Sequence, residues 1–242
     1  MSRWRIIVLS LAVLAGVTLT ACQSTQDKAK IVQARAEASR PKPLVIPKPN
    51  KGVKVLGTTL LRDQNGDAVV VELQNTTNQT LVGLPLLVDV RDAKGKTVYK
   101  NDTAGLDFAL NHVSVINPHE TFTWVNDQIQ PTGVPKTAKV TVGQPEGKAP
   151  PKLPELAVSP PRSRSSSLGA QVIGTVTNKS QIDQAKLVLF AVARRGGQVV
   201  AAGRGLIKKS KVGAKPAPYV IFFIGDPAGA DVSIEAPPTV LQ

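Results

Sequence analysis

The chain has one cysteine, two histidines and one methionine in 242 residues, and aromatic side chains make up only 4% of it. A lone cysteine rules out a disulfide within the chain, so any folded part must stand on its apolar core. The two histidines, His112 and His119, cannot build a metal cage between them, because a zinc or copper centre needs three or four ligands of matched type. Their odd separation would also put them on opposite faces of a continuous strand, and Pro118 interrupts such a strand. No metal and no cofactor are expected. With so few aromatic residues, Val, Leu and Ile are left to make the core. Long apolar runs are scarce as well. The longest, Ile6 to Leu19, covers 14 residues, whereas a spanning helix needs roughly 20.

What is present begins at that run. Arg3 and Arg5 precede it and the small residue Ala21 closes it, the three-part order of a secretion signal. The next residue is the single cysteine. Leu19, Thr20, Ala21 and Cys22 together resemble the lipobox of bacterial lipoproteins. The resemblance implies cleavage before Cys22, a diacylglyceryl thioether on its sulfur and usually an acylated amino group. A thiolate is the strongest nucleophile among ordinary side chains, and here no second thiol competes for the lipid donor. One acyl chain holds a protein only marginally on a bilayer and two or three hold it firmly. Gln23 follows the cysteine instead of Asp. By the same resemblance this implies the outer membrane, on its periplasmic side, in a diderm cell, and the outer face of the cytoplasmic membrane in a monoderm.

Removing residues 1–21 takes away two arginines and lowers the formal charge from +13 to +11. Residues 23–54 carry eight basic and two acidic side chains, 55–143 carry seven and nine, and 144–242 carry thirteen and six. Basicity therefore sits on the amino-terminal stretch and the carboxyl half. In a secreted protein this disfavours nucleic acid as a partner and favours phospholipid headgroups, lipopolysaccharide or wall polymers, unless the lysines serve only as solvated surface. The stretch 22–54 closes on "RPKPLVIPKPNKG", where proline in nearly alternate places forbids a helix, and is expected to be a tether. The stretch 144–168, with "GKAPPKLPELAVSPPRSRSSSL", is expected to be a second linker, rich in proline, serine and arginine.

Two folded bodies, 55–143 and 169–242, remain. In the first, "AVVVELQN" (Ala68 to Asn75) is followed by a polar turn and by "LVGLPLLVDVR", in which Leu86, Val88 and Val90 alternate against Asp89 and Arg91, the period of a half-buried strand. "DAKGK" (Asp92 to Lys96) is a hairpin turn with Gly95 free to take positive φ. A later strand carries Phe122 and Trp124 on one side. The second body repeats the plan from Ala170 to Val200, with Asn178 at the place of Asn75 and Gly197 at the place of Gly95. Matched order and spacing mark a duplicated module. Strands without helical patterns between them predict an all-β fold, two small antiparallel sandwiches of immunoglobulin-like architecture. The last apolar strand, "YVIFFIG" (Tyr219 to Gly225), is expected to be central and covered on both faces, because exposed apolar strands invite aggregation; the alternative is that one of its faces is a contact surface.

On this pattern, a strand ending in Asn, a polar turn, a longer apolar strand, an Asp-x-x-Gly hairpin and a late aromatic strand, residues 68–125 and 170–224 resemble the FxLYD-type sandwich domains carried in tandem by bacterial envelope lipoproteins. The Phe-Leu-Tyr triple itself is not reproduced; Val88 to Asp92 is the nearest stretch. The resemblance implies extracellular modules without established catalysis.

The inventory of reactive groups is equally thin. No serine stands in a G-x-S-x-G elbow, and Ser165, Ser166 and Ser167 lie in the expected linker. "GRGLIKKSK" (Gly203 to Lys211) opens like a phosphate loop but lacks the third glycine. Its charge is of more interest. Arg204, Lys208, Lys209 and Lys211, with Arg194 and Arg195 in the neighbouring turn, are candidates for contact with an anionic polymer, or else protect a strand edge from pairing. The expected protein is a non-enzymatic envelope lipoprotein, anchored in the membrane through lipid on Cys22 and presenting two sandwich domains to protein or anionic-polymer partners, with no small-molecule substrate. An accessory carrier or chaperone for apolar or polymeric cargo is the alternative, and would need a concave apolar groove between the domains. An envelope hydrolase, third, would need a serine or a carboxylate pair in a cleft near His112.

Overall fold

A computed structural model describes residues 30, 41–166 and 169–241. The expected signal 1–21, Cys22, most of the expected tether, Ser167 and Leu168 lie outside the described residues. The packed unit is Lys42–Gln242, and it is all-β. In the first half β1 (Val53–Asp63), β2 (Gly66–Asn75), β3 (Leu81–Arg91) and β4 (Thr97–Lys100) precede a 3₁₀ turn at Phe108–Leu110, and β5 (His112–Ile116), β6 (Thr121–Ile129) and β7 (Thr137–Val142) follow it. The second half holds β8 (Leu156–Val158), β9 (Arg162–Ser166), β10 (Gly169–Asn178), β11 (Gln184–Arg195), β12 (Gln198–Ser210), β13 (Ala217–Phe222), β14 (Ile224–Gly225) and β15 (Asp231–Glu235). The pairings between these strands are antiparallel.

The duplication seen in the sequence is repeated in the topology. One sheet of the first half runs β1-β2-β6, and the corresponding sheet of the second runs β8 and β9, then β10, then β13. The other sheet sets β4 and β5 on one side of β3 and β7 on the other; its counterpart is β14-β12-β11-β15. Part of the stretch expected as a linker is thus structural. β8 and β9 pair successive parts of β10, the place that β1 holds beside β2. Pro160 and Pro161 sit at the break between them, where a missing N–H removes no ladder bond that the edge needs. The end of the expected tether is also pinned: Leu44 N donates to Asp102 O at 2.9 Å and Asn50 N to Val142 O at 2.8 Å.

The matched asparagines make the same turn. Asn75 Nδ2 donates to Gln79 O at 2.7 Å while its Oδ1 accepts from Thr77 N at 3.0 Å and Thr77 Oγ1 at 2.7 Å. Asn178 Nδ2 donates to Ile182 O at 2.8 Å while its Oδ1 accepts from Ser180 N at 3.0 Å and Ser180 Oγ at 2.7 Å. A short amide reaches its own backbone two residues on, which is why Asn closes such turns. Gly95 and Gly197 both have a φ of 79°, the left-handed region that favours glycine at a hairpin.

The sheets stack in four layers, with β1-β2-β6 facing β12-β11-β15 across the middle. The central strands of the two inner sheets, β2 and β11, are largely buried on both faces, and β11 shows the consequence. Leu187, Leu189, Ala191 and Ala193 enter the core of the second sandwich, whereas Val188, Phe190 and Val192 join the core of the first. Phe190 meets Phe122 edge to face, with centroids 5.4 Å apart. Period-two alternation on a strand that is apolar on both faces produces this division.

The strand at Tyr219 corrects one expectation. Among the described residues β13 pairs with β10 alone, at the edge of its sheet. Tyr219 and Ile221 point into the core, but Val220 is 50% and Phe222 43% exposed. The chain leaves that sheet at Phe223 and re-pairs as β14 with Ala201 and Ala202 of β12, a strand switching sheets at the corner of a sandwich. Gly203 and Gly205 make the crossing possible. A Cβ on Gly203 would land on the Phe222 carbonyl oxygen, and one on Gly205 would lie 2.7 Å from Ile221 Cγ1. The glycines that begin like a phosphate loop serve close backbone approach.

Candidate functional site

The six basic residues expected to face a polymer divide into two groups. Arg194 Nη2 lies 2.6 Å from Glu72 Oε1 and donates to Thr123 Oγ1 at 3.0 Å. Arg204 Nε lies 2.9 Å from Asp127 Oδ1, and its side chain is 9% exposed. Both arginines join the halves instead of lining an open basic edge. Each stands on the face of its strand that meets the first sandwich, opposite acids on β2 and β6, so the counter-charge is already in place. Arg195 is turned back on its own half, toward Asp226 at 3.8 Å and the Ala228 carbonyl. Lys208, Lys209 and Lys211 are exposed. Cys22 is outside the described residues.

The histidines are separate. His112 stacks on Phe108 with centroids 4.3 Å apart, its Nδ1 lies 2.7 Å from Asn111 Oδ1 and its Nε2 lies 3.5 Å from Glu146 Oε2. Burial holds its pKa below the ordinary value, with Glu146 opposing in part. His119 takes a φ of 60° in the turn before β6, with Nε2 2.7 Å from Asn78 Oδ1. Among the described residues, no group of three or more His, Cys, Asp and Glu is placed to hold a metal ion.

The feature that sequence reading missed is a cleft of about 420 Å³ at one end of the junction. Val115 and Phe122 of the first sandwich form one wall, and Leu156, Val158 and Ile234 of the second form the other. Glu120 and Glu235 are among its lining residues. Glu120 comes from the turn before β6, where its Oε2 accepts from Asn117 N at 2.6 Å. Glu235 ends β15 and accepts one long bond, 3.4 Å, from Thr123 N across the junction. Its pKa is pushed up to about 7, first because burial penalises the charged form and further because Glu120 is near; the Thr123 amide and Arg194 counteract this only in part. Nothing local in "SIEAPP" announces this, since the carboxylate matters only beside a strand more than a hundred residues earlier. A second hollow of about 300 Å³ lies beside Leu110, Val188, Leu206 and the Arg204–Asp127 pair.

No protein-family model matches the chain, and no curated protein matches it either.

Proposed function

We propose that this protein is a lipid-anchored lipoprotein of the bacterial cell envelope whose folded part is a non-catalytic body for contact with a protein or an anionic polymer. The lipobox order Leu19, Thr20, Ala21, Cys22 behind a basic and apolar amino terminus carries this reading. The anchor is a thioether on Cys22, sited on the outer membrane in a diderm cell or on the outer face of the cytoplasmic membrane in a monoderm. Lys208, Lys209 and Lys211, exposed near the end of β12, are the residues offered to an anionic polymer. The packed junction of the halves supports a rigid presenting body over two independently moving domains.

Feeding cells labelled palmitate tests the anchor. The wild-type chain incorporates label and stays with the membrane fraction, whereas Cys22→Ser loses both; an unlabelled wild-type chain that keeps residues 1–21 would overturn the reading. For the polymer contact, salt-sensitive retention on an anionic envelope polymer drops when Lys208, Lys209 and Lys211 are changed to Glu. The carrier alternative draws support from the cleft alone, and about 420 Å³ suits a side chain or small molecule rather than polymeric cargo.

A further inference from the structure

We propose that the cleft between the sandwiches binds an organic cation, an ammonium or guanidinium group on an apolar body, with the charged head against Glu235 and Glu120 and the body along Phe122, Leu156, Val158 and Ile234.

The sign of the ligand follows from the charges around the cleft. Two glutamates line it, and Arg194, whose charge acts on Glu235, is already held by Glu72 at 2.6 Å and Thr123 at 3.0 Å. Among the described residues Glu235 keeps a single long hydrogen bond, and Glu120 spends one oxygen on the Asn117 amide. A carboxylate withdrawn from water without a cation is costly, and an incoming cation repays that cost at the moment of binding. An anion would meet like charge. It would also find few donors, because Pro154, Pro237 and Pro238 in the lining have no N–H to offer.

The apolar body follows from the walls. Beside the glutamates, Val115 and Phe122 on one side and Leu156, Val158 and Ile234 on the other supply apolar surface, and the volume falls in the range of small-ligand sites. The walls come from different sandwiches fixed by the Arg194–Glu72 and Arg204–Asp127 pairs, so the cleft exists before the ligand arrives and little ordering cost is added. A free amine and a Lys or Arg side chain of a partner polypeptide share this chemistry. The site belongs to the folded body and does not depend on acylation of Cys22.

The test titrates the full chain with n-hexylamine, n-hexanol, n-hexanoate and the peptide acetyl-Leu-Lys-Leu-amide, following backbone and Glu carboxyl shifts by NMR. Hexylamine is expected to perturb Phe122, Ile234 and Glu235, to bind more tightly as pH rises through 7, and to lower the Glu235 pKa. Glu235→Gln, which mimics the protonated side chain and so preserves the fold, weakens binding by about tenfold or more; Glu120→Gln weakens it less. Tighter binding of the peptide than of hexylamine assigns a partner's side chain, and the reverse assigns a small free amine. Equal binding of hexanol and hexylamine, undiminished binding by Glu235→Gln, or no saturable shift with any cation would overturn the proposal.

Discussion

Arg204 is held twice by Asp127: its side-chain Nε lies 2.9 Å from Oδ1, and its backbone N donates to Oδ2 at 2.8 Å. One carboxylate of the first sandwich thereby fixes both the position and the charge of a residue on β12 of the second. With Arg194 on Glu72, and Gly225 N donating to Asp63 Oδ2 at 2.9 Å, polar contacts pin a junction whose area is otherwise filled by Val188, Phe190 and Val192. These contacts select one relative placement of two similar apolar sheets, which hydrophobic burial alone does not.

Asp127→Ala leaves the Arg204 head with little water and no counter-charge, and its N–H without an acceptor. A loss of about 3 kcal/mol is expected in denaturant unfolding. The pair Asp127→Leu with Arg204→Met recovers most of it, because no charge is then stranded. A loss below about 0.5 kcal/mol for Asp127→Ala would mean the halves are not coupled there.

Glu235 makes stability fall with rising pH. In the folded chain its carboxyl keeps a proton up to about 7, against an ordinary value of 4.5. Between these two values the folded state binds more protons than the unfolded one, so this group's contribution declines through the window and is flat above it. The span corresponds to a loss on the order of 3 kcal/mol. Urea midpoints measured between pH 4.5 and 8 check this: Glu235→Gln should remove that part of the slope.

The two asparagine turns should respond alike. Asn75 and Asn178 are each buried; the Asn75 amide donates to three carbonyls and the Asn178 amide to two, and each Oδ1 accepts two bonds from the residue two positions on. Asn→Asp replaces the donating NH₂ with a carboxylate that repels those carbonyls. Each substitution is expected to cost about 2 kcal/mol or more, seen as a lower melting temperature. A benign Asn178→Asp would show that the second turn is held by its neighbours.

Gly203→Ala pushes a methyl group onto the Phe222 carbonyl, where only backbone movement can relieve it. Destabilisation of several kcal/mol, or failure to fold, is expected. Gly213→Ala is the milder comparison: it has no atom within 4 Å of its Cβ position, and a φ of 66° leaves only conformational strain, about 1 kcal/mol. Proteolysis rates of the two variants separate these effects.

Much of the fold was legible because its causes are local. The alternation of Leu86, Val88 and Val90 against Asp89 and Arg91 set β3 and its inward face, and Asn75, Asn178, Gly95 and Gly197 set their turns through bonds to nearby backbone or through φ. β8 and β9 were hidden because Pro160, Pro161 and a run of Ser and Arg mimic a linker, while a strand at a sheet edge tolerates both. The apolar "YVIFFIG" resembled a central strand because sequence records hydrophobicity and not which edge stays unpaired.

By itself, then, the chain determined most of its strands and its duplicated turns, since each depends on residues a few places apart. Tertiary structure decided which of β11's two apolar faces would meet the other sandwich, and turned Arg194 and Arg204 from candidate polymer contacts into internal ion pairs. It also raised Glu235 into a cleft. The reason is electrostatic: a charged group's energy is set by whatever lies within a few ångströms of it, and here those neighbours are brought from distant parts of the chain.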